Sequence, residues 1–177
     1  AQRDPWGDPT TGIVRQSTTT STFTFDDRAK FSHQGGSDAW PRDQYLNIWV
    51  CNLVTGLLGY AQFPGQNPDT DGVVVDYENF GTILMFPPFE TGRTTTHEVG
   101  HWLGLFHIWG DDGGACSGSD QVADTPNQGN STNNGCPTFP DYDNCATTFP
   151  GKMFMNYMDY TRGSCMNGFS QGQSARM

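Results

Sequence analysis

His97-Glu98-Val99-Gly100-His101-Trp102-Leu103-Gly104-Leu105-Phe106-His107 has the form H-E-x-x-H-x-x-G-x-x-H. On an α-helix His97 and His101 lie one turn apart on one face, so both imidazoles reach a single ion. Glu98 sits beside them as a general base for a zinc-bound water. If the helix continued, His107 would sit roughly 9 Å further along the axis and off that face, at about 1.5 Å per residue. Gly104 removes the obstacle, because glycine adopts the left-handed backbone that ends a helix and turns the chain back beneath the metal. Three histidines leave the fourth tetrahedral position to water, the pattern of a catalytic zinc rather than a structural one. The alternative, a chance match on a surface helix, requires three of the chain's four histidines to coincide with the motif. The fourth, His33, lies in the polar stretch Ser32-His33-Gln34-Gly35 and reads as solvated.

Around this segment the hydrophobic pattern predicts strands over 22–25, 45–53, 57–63, 73–77 and 82–86, separated by Gly, Pro, Asn and Asp clusters. Thr91 and Thr94 to Thr96 offer caps for the zinc helix, and Ser170 with Gln173 fits a capping box for a second helix in the tail. Residues 1–16, broken by Pro5, Gly7, Pro9 and Gly12, read as an arm. No internal repeat or linker divides the 177 residues, and 19.5 kDa is enough chain to bury a core without a structural metal. The expected class is α+β in one domain, 1–177: a twisted mixed sheet with backing helices above a zinc cleft, and an irregular C-terminal subdomain. The upper subdomain runs to about residue 104 and the lower from about 105 to 177.

A formal charge of -10 and a pI near 4.5, with two lysines, argue against nucleic acid or an anionic membrane as partner. No apolar run approaches the roughly 20 residues of a spanning helix, and no charged-then-apolar leader opens the chain. Ala1 in place of Met suggests a trimmed product from which a signal or pro-segment has been lost. From Thr94 to Gly151 there is no Lys or Arg, while Glu98, Asp111, Asp112, Asp120, Asp124, Asp141 and Asp143 fall inside. Such a segment repels itself unless a cation joins it. Within it, Asp120-Gln121-Val122-Ala123-Asp124-Thr125 offers the hard oxygens that calcium prefers, without an EF-hand's spacing. A solvated acidic loop is the competing reading.

Of five cysteines, Cys116, Cys136, Cys145 and Cys165 follow the zinc motif in a loop-rich half. That placement favours two disulfides and an oxidising compartment, with three pairings open. A second zinc site is the other use of four thiols, but no C-x-x-C pair exists. Cys51 belongs to the alternating run at 45–53 and reads as a free core thiol.

The zinc motif resembles that of the metzincin metallopeptidases, and Met153-Phe154-Met155-Asn156-Tyr157-Met158-Asp159-Tyr160 is similar to the Met-turn region of the pappalysin family, particularly its small microbial members. Residues 31–51, 56–72 and 120–126 share the likeness. The resemblance implies a secreted endopeptidase made as a zymogen, acting on protein or peptide substrates through a Glu-activated, zinc-bound water. It implies that Met158 forms the hydrophobic base under the ligands and that Tyr160 lies beside the metal to stabilise the oxyanion. It further implies pairings Cys116 to Cys145 and Cys136 to Cys165, and calcium near Asp120, Val122, Asp124 and Thr125. Leu58, Gly59, Tyr60 and Ala61 would form the upper rim of the cleft, where substrate adds as a strand. Basic-specific members carry an acidic residue just beyond the Met-turn tyrosine, whereas this chain reads Tyr160-Thr161-Arg162-Gly163-Ser164. That departure predicts a pocket, near Arg162 and Gly163, that does not favour Arg or Lys after the scissile bond. A non-peptidase zinc hydrolase, or a catalytically silent binding module on the same fold, are the competing functions. Chelator-sensitive peptide cleavage excludes the first, and an intact Glu98 speaks against the second.

Overall fold

Val73-Val74-Val75 forms the centre of the fold, since three β-branched residues in succession suit a strand covered on both faces. The computed structural model describes residues 2–82, 91–133 and 135–177. Its sheet comprises β1 (Ile48–Cys51), β2 (Gly59–Ala61) and β3 (Val73–Asp76), in the order β1-β3-β2. β1 runs parallel to β3 with Ile48 opposite Val73, and β2 runs antiparallel with Gly59 opposite Val75. The sheet is therefore mixed, with β2 at one edge. Helix α1 (Arg93–Trp102) packs across β2 and β3, and a short α2 (Gln171–Arg176) lies in the tail.

Val74 joins Phe23, Ala29, Trp49, Leu53 and Tyr60 in the upper core. Lys30 is buried against this cluster, its ammonium 2.8 Å from both Thr70 O and Asp27 Oδ1 and facing the rings of Trp49 and Tyr60. A charge survives there because it is paired and hydrogen-bonded. Cys51 is free and packs partly buried at the margin of the same cluster, which pushes its thiol up to about 11.

The strands are shorter than the hydrophobic runs that predict them. At 22–25 only an isolated parallel bridge, Phe23 to Leu53, is formed. Before β1 the chain is diverted by Asn47, whose side chain accepts from Trp40 N and donates to Trp40 O, both at 2.8 Å. Most of the strand expected over 82–86 lies outside the described residues. His33 is exposed, as a solvated residue should be. Among the described residues no helix is long and apolar enough to cross a membrane.

After α1 regular structure is sparse. Leu105, Ile108, Trp109 and Met158 form a second core, with Met153, Phe169 and Met177 packed on it. Disulfides Cys116–Cys145 and Cys136–Cys165 each span 29 residues and brace the loops where apolar side chains are scarce. This is the pairing that the resemblance implied. The capping box of α2 is formed, Ser170 Oγ accepting from Gln173 N and Gln173 Oε1 from Ser170 N.

Candidate metal centre

Helix α1 begins at Gly92, whose φ of 68° places it in the left-handed region, with no side-chain cap. Thr94 to Thr96, expected as caps, lie inside the first turn instead. At the far end Gly104 has φ 92°, Gly104 N donates to His101 O and Leu105 N donates to Gly100 O, each at 2.9 Å. This is the paired closure of a Schellman motif, in which an L-residue at the Gly104 position would be strained. The turn brings His107 back to the face that carries His97 and His101.

The three Nε2 atoms are separated by 3.0 Å (His97–His101), 3.1 Å (His101–His107) and 3.3 Å (His97–His107). Tetrahedral ligands about 2.0–2.1 Å from one ion would stand about 3.3–3.4 Å apart, so the set fits zinc. Each Nδ1 is already committed: His97 to Tyr157 O at 2.7 Å, His101 to Leu105 O at 2.8 Å, His107 to the Asp111 carboxylate at 2.9 Å. With the protons held on Nδ1, the Nε2 lone pairs face one another without a hydrogen to share, and a cation resolves that conflict. Burial and mutual repulsion hold His97 well below the usual imidazole range and His101 down to about 4, and burial lowers His107. All three are thus neutral at physiological pH, the form that ligates. Among the described residues they are the one His/Cys/Asp/Glu group spaced to hold an ion.

Glu98 is buried beside them, and burial pushes its carboxyl up to about 8. Its stem fits because β2 carries glycine opposite: a Cβ on Gly59 would lie 3.0 Å from Glu98 Cγ and 2.9 Å from Val74 O. Tyr160 is 41% exposed, its ring 5.0 Å from that of His107 and 5.4 Å from that of His97. Burial of the ring, with Glu98, Asp111 and Asp159 nearby, raises its phenol to about 12, so the hydroxyl remains a donor. Met158 is fully buried beneath α1, where a Cβ on Gly100 would overlap its Sδ.

Several supports were not legible in the sequence. Asn156 and Gln173, both buried, exchange amide hydrogen bonds of 2.7 and 3.1 Å, and Asn156 Oδ1 accepts from Met158 N. The fully buried Asp159 accepts from Thr132 N and Tyr160 N at 2.7 Å and from Gln128 Nε2 at 3.1 Å. Its carboxylate anchors the Met-turn to the segment around 130.

A cavity of about 250 Å³ opens beside His97 and Glu98, walled by Leu57 and Leu58 above and by Tyr160 and Met166 below. Gly59 lines it through β2, whereas Tyr60 turns its ring into the upper core. Arg162 and Gly163, expected near this pocket, do not line it: the chain enters a 3-10 turn, Gly163–Cys165, and Met166 reaches the wall in their place. A larger cavity of about 910 Å³ lies between the N-terminal arm and β1, walled by Arg3, Tyr45 and Trp49, and includes none of the three histidines. In the acidic loop Thr125 Oγ1 contacts Asp120 Oδ2 at 2.7 Å and Val122 O at 2.9 Å. Asp124 turns away from them to Ser170 Oγ and Gly172 N.

Comparison with known proteins agrees with this geometry. The model of the peptidase family described as pregnancy-associated plasma protein-A matches residues 30–177. An extracellular metalloprotease of Arthroderma otae is 42% identical over 143 residues, covering 75% of this chain and 49% of that protein. Extracellular metalloprotease 1 of Coccidioides posadasii is 39% identical, with 75% and 48% covered. The chain spans about half the length of these curated relatives. Among solved structures, mature mirolysin of Tannerella forsythia in complex with a cleaved peptide is 58% identical with a TM-score of 0.96, covering 99% of this chain and 67% of that one. A promirolysin mutant aligns equally well and is covered to 59%.

Proposed function

Because the chain belongs to the pregnancy-associated plasma protein-A (pappalysin) family of metallopeptidases, we propose that it is a secreted zinc-dependent endopeptidase. The observation that carries this reading is the convergence of three neutral imidazoles with Nε2 atoms 3.0–3.3 Å apart, next to a buried glutamate in an open cleft. Zinc held by His97, His101 and His107 would supply Lewis acidity, lowering the pKa of water toward about 7 and polarising the substrate carbonyl.

The remaining work falls to side chains. Glu98 accepts the proton of the attacking water on its carboxylate and returns it to the leaving amine. Its burial suits this exchange, since desolvation makes the carboxylate a stronger base, while a neighbouring dication keeps it from being protonated too readily. Tyr160, protonated and rimming the cleft, donates a hydrogen bond to the oxyanion as it forms. Substrate lies along the edge of β2 that no described strand pairs with, at Leu58, Gly59, Tyr60 and Ala61. Backbone pairing there gives affinity that tolerates sequence, leaving selectivity to the pockets.

The cavity beside Glu98 receives the residue after the scissile bond. Met166, Leu57 and Leu58 make its wall apolar, and Asp159, which lines it together with Glu98, already accepts three hydrogen bonds. A dominant preference for Arg or Lys is not expected. Calcium in the loop at Asp120, Val122, Asp124 and Thr125 is part of the proposal, supported by the convergence of Asp120 Oδ2, Val122 O and Thr125 Oγ1. Asp124 would leave Ser170 to join them. A removed pro-segment, and a division near residue 104 into upper and lower subdomains, complete the reading. The test is cleavage of a mixed peptide library with and without chelator, alongside Glu98→Ala. That variant should retain about one zinc per chain and lose proteolysis, because the base is not a ligand. Appreciable cleavage by Glu98→Ala would refute the assignment.

A further inference from the structure

The three histidines are not anchored alike. His97 and His101 donate to main-chain carbonyls, of Tyr157 and Leu105, which no side-chain change can remove. His107 lies beyond the helix on irregular chain, and its Nδ1 is 2.9 Å from both oxygens of Asp111, a residue whose side chain is 56% exposed. We propose that Asp111 is the positioning residue of the metal centre: its carboxylate orients the His107 ring, holds the proton on Nδ1 and strengthens Nε2 as a donor to zinc.

The local backbone is shaped to deliver that carboxylate. Gly110 has φ 68° and Asp111 φ 52°, two left-handed residues in succession, with Gly110 N donating to His107 O at 3.0 Å. This turn folds residue 111 back onto residue 107. A non-glycine residue in this region is strained and persists where the surroundings enforce it. Gly110 cannot move aside, since it packs so closely on the next loop that a Cβ there would lie 2.8 Å from Gly118 Cα and closer still to Ser119 N. Asp112 holds that loop by accepting from the backbone N–H of Gly114, Ala115, Ser117 and Gly118. Trp109 stacks on the His107 ring at 4.2 Å and 9°, fixing its plane while Asp111 fixes its rotation. The adjacent aspartates thus divide the work: Asp112 organises the loop and Asp111 faces the ligand.

The inference rests on the zinc reading, and zinc affinity in competition with a fluorescent chelator tests it apart from turnover. Asp111→Gly is the decisive variant, because it relieves the left-handed strain while removing the carboxylate. It should leave the melting temperature of the metal-free protein unchanged or higher, weaken zinc binding 10- to 100-fold, and alter the visible spectrum of the cobalt-substituted protein. Asp111→Asn, which keeps an acceptor oxygen, should recover part of that loss. Zinc affinity within twofold of the parent in Asp111→Gly would overturn the proposal. So would an affinity loss that tracks a lowered metal-free melting temperature in both variants, which would mean a structural role alone. His107→Ala is the reference: if it too binds zinc as the parent does, the metal-site reading fails, not merely this inference.

Discussion

Gly100→Ala sets two effects of opposite sign against each other inside α1. Replacing glycine by alanine in a helix interior ordinarily stabilises by about 1 kcal/mol, because the unfolded chain loses freedom. Here the new Cβ would overlap Met158 Sδ and come within 3.4 Å of Met158 Cε and 3.5 Å of Phe169 Cε1. Met158 is 0% exposed and packed with Leu105, Ile108 and Trp109, so its sulfur has nowhere to retreat. Overpacking of this kind costs about 1–3 kcal/mol. The contact should win, for a net loss of up to about 2 kcal/mol and, at about 2–4 °C per kcal/mol for a domain of this size, a fall of several degrees in melting temperature. Displacing Met158, which packs against the helix that carries His97 and His101, should also weaken zinc binding. The assay is a double-mutant cycle in denaturant with Met158→Ala, which vacates the space and should turn the same Gly100→Ala change stabilising. Free energies that add to within about 0.5 kcal/mol would refute the reasoning, as would a single variant more stable than the parent.

Further outcomes follow from the site and its supports. In the metal-free protein Glu98, raised by burial from 4.5 to about 8, binds a proton more tightly folded than unfolded, so its contribution to stability is complete below pH 4.5 and is lost as pH rises toward 8. Glu98→Gln should therefore gain on the parent across that window, by a few kcal/mol at about 1.4 kcal/mol per pKa unit, and parallel pH profiles would contradict this. The histidines act in the opposite sense: His101, lowered to about 4, together with His97 and His107, which are also lowered, adds stability as pH rises toward 6.5, and the three should dominate the profile that Glu98→Gln leaves. Removing Cys136–Cys165 by paired Ser substitution should cost about 3–4 kcal/mol, the loop-closure value for 29 residues; unchanged unfolding free energy would discount the brace. Calcium added back to calcium-depleted, zinc-loaded protein should raise its melting temperature, and a constant midpoint would return the loop around Asp120 to solvent.

What could be read from the chain alone follows the range of the interactions involved. The metal helix and its stop at Gly104 depend on geometry within eleven residues, and the motif states that geometry completely. Strand centres were legible because Val73 to Val75 and the alternation around Trp49 are local signals. Their ends were not: Asn47 diverts the chain before β1 through a side-chain bridge to Trp40 that no periodicity encodes. The start of α1 misled because three threonines look like caps, while the turn is made by the left-handed Gly92. Asp111 was visible only as one charge in an acidic segment, since its role depends on two successive left-handed residues. The pocket wall passed from Arg162 and Gly163 to Met166 through one 3-10 turn, a shift that spacing does not reveal.

The amide pair Asn156–Gln173 carries a consequence for the metal centre. Asn156 holds Met158 N with the same oxygen that accepts from Gln173, and Gln173 also closes the cap of α2. The buried methionine is therefore keyed to Gln173 of α2, 17 residues beyond Asn156, and unwinding α2 would loosen Met158 together with the Tyr157 carbonyl that anchors His97. His101 and His107 are anchored from within residues 105–111, but the carbonyl that anchors His97 and the methionine packed beneath α1 are held in the segment that the tail helix braces. A chain clipped before residue 170 would be expected to capture metal loosely and cut poorly, which makes the last turn of helix a latch on competence rather than a trailing end.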